Sequence, residues 1–172
     1  MTLRTEAQLD ALFPDSALRD GPDEIVAEKI RDLIKSVMAV GGVMDGAGET
    51  ISMTTSWAPL AAFTHSSDTK GITEDLDTGQ YTILSGGAGF FAIDVSLGVY
   101  SSYAGWIEIA VSKNGGLTRY KKKRTMTAGG DGVFDIPAGL SLAEGDIVGI
   151  AVRGSGTADV TMTDGQFRVI RI

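Results

Sequence analysis

The sequence predicts a mainly β protein, an antiparallel sandwich of about eight to ten strands preceded by a short α-helical amino-terminal segment. Three observations carry this. The apolar period is near 3.6 up to about residue 40 and changes to 2 beyond it. Glycines, 23 in a chain of 172 residues, fall between the alternating stretches as turn signals. No helical pattern interrupts those stretches.

The amino-terminal elements come first. TEAQLDALF places Leu9, Leu12 and Phe13 at helical spacing, and Pro14 with DSALRDGPDE ends that piece. DEIVAEKIRDLIKSVMAV, residues 23 to 40, is a second amphipathic helix. Asp23 is its N-cap, acids fill the first turn, and Lys29, Arg31 and Lys35 follow, which suits the helix dipole. Val26, Ile30, Leu33, Val37, Val40 and Met44 advance in steps of four and three, the spacing of a coiled-coil seam. A helix this short is marginal alone in water, so the stripe must face either copies of itself or its own domain. GGVMDGAGE opens a glycine-containing linker expected over residues 41 to 56.

The strands follow. FFAIDVSLGVY puts Phe91, Ile93, Val95, Leu97 and Val99 on one face, with Asp94 and Ser96 on the other. WIEIAVS alternates through Ile107, Ile109 and Val111 and leads into Asn114-Gly115, the strongest short hairpin signal. QYTIL, VFDI, DIVGIAV, ADVTM and QFRVIRI read as further strands.

Composition narrows the function classes. A net charge of −7 disfavours a general nucleic-acid coat, which needs clustered Lys and Arg. Cysteine is absent, so disulfides and thiolate metal sites are excluded. No signal peptide is visible at the start, and no apolar run approaches a membrane span, so membrane insertion is not expected. His65 is the sole histidine, too few for an imidazole metal site, and no nucleophile elbow accompanies it. The acids Glu74, Asp75 and Asp77 lack EF-hand spacing and read as exposed turn acids. The chain is therefore read as a non-enzyme without metal or cofactor.

Two features are candidate ligand contacts. RYKKKR concentrates Arg119, Lys121, Lys122, Lys123 and Arg124 in an acidic chain. That run is either a contact for an anionic partner or an edge strand kept from pairing by its charge. Trp57 and Trp106, with Tyr81, Tyr100, Tyr103 and Tyr120, are either a sugar-stacking platform or packing in the core or at a trimer axis, and Tyr100, Tyr103 and Trp106, clustered around the SSYAG turn, are the candidates for ligand contact.

The order GQYTILSGGAGFFAIDVSLGVYS, WIEIAVSKNGG and LSLAEGDIVGIAVRGSGTADVTMTDGQFRVIRI resembles the tumour-necrosis-factor and complement-globular-head jelly roll over roughly residues 57 to 172. Residues 5 to 37 are similar to a leader of bacteriophage fibre and head-fibre proteins, through Leu9, Leu12, Phe13, Asp15, Ile25, Ile30, Arg31, Asp32, Ile34 and Ser36. Ser16 and the Gly21-Pro22 insertion depart from that pattern.

Together the resemblances imply a homotrimeric protein on the virion surface. Leu9, Leu12, Phe13, Val26, Ile30, Leu33 and Val37 would attach it to other virion proteins or hold the trimer, and residues 57 to 172 would be displayed. A capsid decoration or head fibre is the first reading. A short tail fibre or tail tip recognising a host surface glycan is the alternative.

Overall fold

The computed structural model describes residues 40–172, apart from the side chains of residues 67–70. The helices expected at the amino terminus, with Leu9, Leu12, Phe13, Val26, Ile30, Leu33 and Val37, lie outside the described residues. Twelve strands follow in the described part: β1 (Gly41–Gly46), β2 (Thr50–Met53), β3 (Ala58–Pro59), β4 (His65–Lys70), β5 (Ile72–Asp75), β6 (Gln80–Ile83), β7 (Gly89–Ser101), β8 (Gly105–Lys113), β9 (Gly116–Met126), β10 (Gly130–Leu142), β11 (Ile147–Gly154) and β12 (Ala158–Arg171).

They form two six-stranded antiparallel sheets, the arrangement of a jelly roll. The first sheet runs β10-β7-β12-β1-β4, with β2 also paired to β12. The second runs β5-β6-β11-β8-β9, with β3 paired to β11. The first and last strands are neighbours, Gly41 opposite Ile170 and Gly46 opposite Gly165.

Alternation fixes the faces. Phe91, Ile93, Val95, Leu97 and Val99 of β7 are all buried, as are Ile107, Ile109 and Val111 of β8. In β12 the register shifts between Met162 and Asp164. This bulge inserts one residue, so the inward set passes from Val160 and Met162 to Phe167 and Val169. Gly165 follows the bulge, where a Cβ would sit 2.5 Å from the Met162 sulfur, so a side chain there would displace the core methionine. Phe167 touches the second sheet through Tyr81 and also meets Phe63, ring centroids 5.2 and 6.2 Å away.

Two sequence expectations are corrected here. The stretch 41–56, expected as a linker, contains β1 and β2, both hydrogen-bonded to β12. Two of the three inward residues of β1, Gly42 and Gly46, carry no side chain, so the strand shows no apolar alternation. Met44, expected at the end of the helical seam, is the third and is fully buried in the sandwich. The strand count also exceeds the expected eight to ten, because β2, β3 and β5 are too short to leave a periodic signal.

Candidate functional site

The RYKKKR run lies wholly in β9, an edge strand of the second sheet, and strand alternation divides it. Tyr120, Lys122 and Arg124 turn toward the neighbouring edge strand of the first sheet. The Tyr120 hydroxyl donates to the Gly139 carbonyl at 3.0 Å, Lys122 Nζ reaches the Asp135 carbonyl at 3.5 Å, and Arg124 Nη1 donates to the Val133 carbonyl at 2.5 Å. Residues 133, 135 and 139 therefore point their backbone groups off the free edge of β10. Pro137 shares their parity, so its missing N–H falls where no strand partner needs it. These side chains occupy an edge that would otherwise pair with another chain.

Lys121 and Lys123 face outward instead. Across the second sheet, Arg153 of β11 stands opposite Glu108 of β8, and Glu108 opposite Lys123 of β9. Glu108 is only 7% exposed. Its Oε2 accepts from Arg153 Nε at 2.8 Å and Nη2 at 2.6 Å, and Lys121 Nζ lies 4.0 Å from Oε1. A carboxylate this buried needs such partners, since burying an unpaired charge is costly.

Two indoles complete the row. Trp57 enters just before β3, whose pairing of Ala58 with Val152 brings it beside Arg153. The Arg153 guanidinium carbon lies 4.7 Å from the Trp57 ring centroid and 5.5 Å from that of Trp106, and Lys123 Nζ lies 3.9 Å from Trp106. All three are within cation–π range. Trp106 is fixed by its backbone, its N–H donating to Ser155 Oγ and its carbonyl accepting from the Ser155 N–H. Arg119 folds over Tyr120 at 5.0 Å and donates to its hydroxyl, away from this row.

The structure does not bring Tyr100 and Trp106 onto one face. Tyr100 lies on the outer face of the first sheet, 39% exposed, and Trp106 on the outer face of the second. Successive strands leaving one turn belong to different sheets, which separates them. Tyr103 stays in the turn, half-buried, and burial raises its pKa. Sequence reasoning named Trp57 and Trp106 among the aromatics and Lys121 and Lys123 in a separate basic run, but neither Glu108 nor Arg153 nor the joining of these residues in one row.

The hairpin end is separately ordered. Asn114 (φ 51°) and Gly115 (φ 75°) adopt the left-handed conformation of a tight hairpin turn, as the Asn-Gly signal predicts. Asp146 accepts from Lys113 at 2.7 Å, Asn114 at 2.7 Å and the Ala143 N–H at 2.7 Å. These bonds, that from Lys113 foremost, hold its carboxyl down to a pKa of about 2. Among the described residues no group of three His, Cys, Asp or Glu side chains is placed to hold a metal ion.

No family model and no curated protein matches the chain. Its backbone is similar to solved structures. An Eiger TNF from S. frugiperda aligns with a TM-score of 0.57 at 14% identity, over 78% of this chain and 92% of the other. The globular domain of zebrafish complement 1qA aligns at 0.58 and 14% identity, over 77% and 97%. Murine APRIL aligns at 0.55 and 11% identity, over 77% and 99%. At such identities the likeness is one of fold, and the chain's sandwich is a jelly roll of the tumour-necrosis-factor and complement-globular-head type.

Proposed function

We propose that the chain is a homotrimeric virion surface protein, a capsid decoration or head fibre, that acts by assembly and display. The observation that carries self-association is an apolar patch on the outer face of the first sheet. Phe90 is 49% exposed and its ring covers Gly139, Ile172 is 76% exposed, and Ala92 and Ile170 adjoin them as an opposed pair. Phe90 and Ile172 are held together by the Ile172 N–H donating to the Phe90 carbonyl at 3.0 Å. Large apolar side chains exposed together on a sheet face mark an interaction surface.

The number three and the virion location rest on the sequence resemblances. The leader at residues 5–37 supports attachment to other virion proteins, and the jelly-roll motifs support a threefold arrangement. Three weak leader contacts on one trimer would hold strongly through effective concentration.

Light scattering of the full chain is expected to give three times the 18.0 kDa chain mass. Phe90→Ser with Ile172→Ser is expected to give monomers. A wild-type monomer overturns the trimer. Antibody labelling of particles tests the location, and decoration of tails rather than heads would support the tail-tip reading with its host glycan.

A further inference from the structure

We propose that the outer face of the second sheet, along β8, β9 and β11, binds an acidic polysaccharide carrying carboxylate or sulfate groups. The surface stands on its own geometry and depends on neither the trimer nor the particle.

Charge segregation is the first argument. The chain is acidic, yet Lys121, Lys123 and Arg153 share this face with Glu108 as their acidic partner. The outer face of the first sheet instead bears Asp45, Asp94, Asp131 and Asp135, with Arg168 among them. Since Arg153 and Glu108 offset each other, the lysines supply the surplus.

Spacing and order are the second. Lys121 and Lys123 lie two residues apart on a strand, about 7 Å along it, and β11 lies about 10 Å across. Two lysines one strand repeat apart on the same face suit a linear polyanion with repeating charges. Trp106 holds Lys123 and Arg153 is fixed between Glu108 and the two indoles, so less side-chain entropy is lost when an anion arrives.

The occupied rings set the class of partner. Single-stranded nucleic acid binds by stacking bases on open aromatic faces. Here the indoles already carry their own cations, leaving charge as the main recognition element. A saccharide with acidic groups needs no base stacking.

The test titrates the full chain at low and raised salt with heparin, polygalacturonate, neutral dextran and oligodeoxythymidylate. Binding to heparin or polygalacturonate, weakened by salt and absent for dextran, is expected. The double variant Lys121→Gln with Lys123→Gln should weaken it roughly tenfold, with Arg168→Gln on the first sheet changing it by less than about twofold. Lys123→Gln alone provides a milder variant, expected to lose part of the affinity. Failure of both acidic polymers to bind, equal loss in Arg168→Gln, or tighter binding of oligodeoxythymidylate would overturn the assignment. So would a loss of self-association in the lysine variants, which would give the face to a second copy. Light scattering on the same samples reports the trimer separately, so the two proposals fail by different readings.

Discussion

Tyr81 of β6 and Phe167 of β12 meet ring to ring at 5.2 Å across the interior, one from each sheet, with the planes inclined at 54°. Both are fully buried, and the Tyr81 hydroxyl reaches only a distant carbonyl, that of Phe167 at 3.5 Å. Burial, the largest cause, drives the phenol's pKa upward, so it stays protonated. Phe167→Ala is expected to cost about 3–5 kcal/mol by opening a cavity between the sheets. Tyr81→Phe keeps the packing and should change stability by less than about 1.5 kcal/mol. Urea unfolding of both variants checks the contrast, and equal losses would contradict it.

Arg153 and Glu108 should respond unequally to truncation. Arg153→Ala leaves the carboxylate buried with only Lys121 at 4.0 Å, and a loss of about 2–4 kcal/mol is expected. Glu108→Ala leaves a guanidinium that retains contact with water and with Trp57, so its cost should be smaller. Thermal melts followed by tryptophan fluorescence compare the two.

The Asp146 carboxyl ties stability to acid. Its folded pKa, about 2, lies below the ordinary carboxylate value near 3.9. The folded state therefore binds this proton more weakly than the unfolded state. The contribution is fully present above about pH 4 and is lost as pH falls toward 2. Asp146→Asn should be less stable at neutral pH and lose less between pH 4 and 2. Parallel slopes over that interval would rule out this linkage.

Gly115 isolates a backbone effect. Its φ is 75°, and a Cβ there would meet nothing within 4 Å. Gly115→Ala should therefore destabilise by about 1 kcal/mol through conformation alone. Denaturant midpoints at constant slope are the measure.

The sequence made β7, β8 and the Asn114-Gly115 turn legible because long alternation and turn chemistry are local properties. β1 was hidden because its inward glycines erased the alternation, and Met44 then fitted a helical step by coincidence of spacing. Part of the candidate site was legible for the same reason: Trp106, Lys121 and Lys123 belong to one hairpin. Arg153 joins them because β11 pairs with β8, and Trp57 because β3 pairs with β11, contacts without a local signature. The split of RYKKKR into edge-holding and outward residues was not legible, because a run of like residues carries no alternation of its own.

The placement of β12 between β1 and β7 reaches back to synthesis. While a ribosome is still translating toward residue 158, β1 and β7 have no strand to join them, and the first sheet remains split. At typical elongation rates that interval lasts roughly six to twenty seconds after β1 is made. Its inward apolar residues are then open to chaperones and to neighbouring nascent chains. Premature termination before β12 would leave the gap permanent, marking the product for proteolysis.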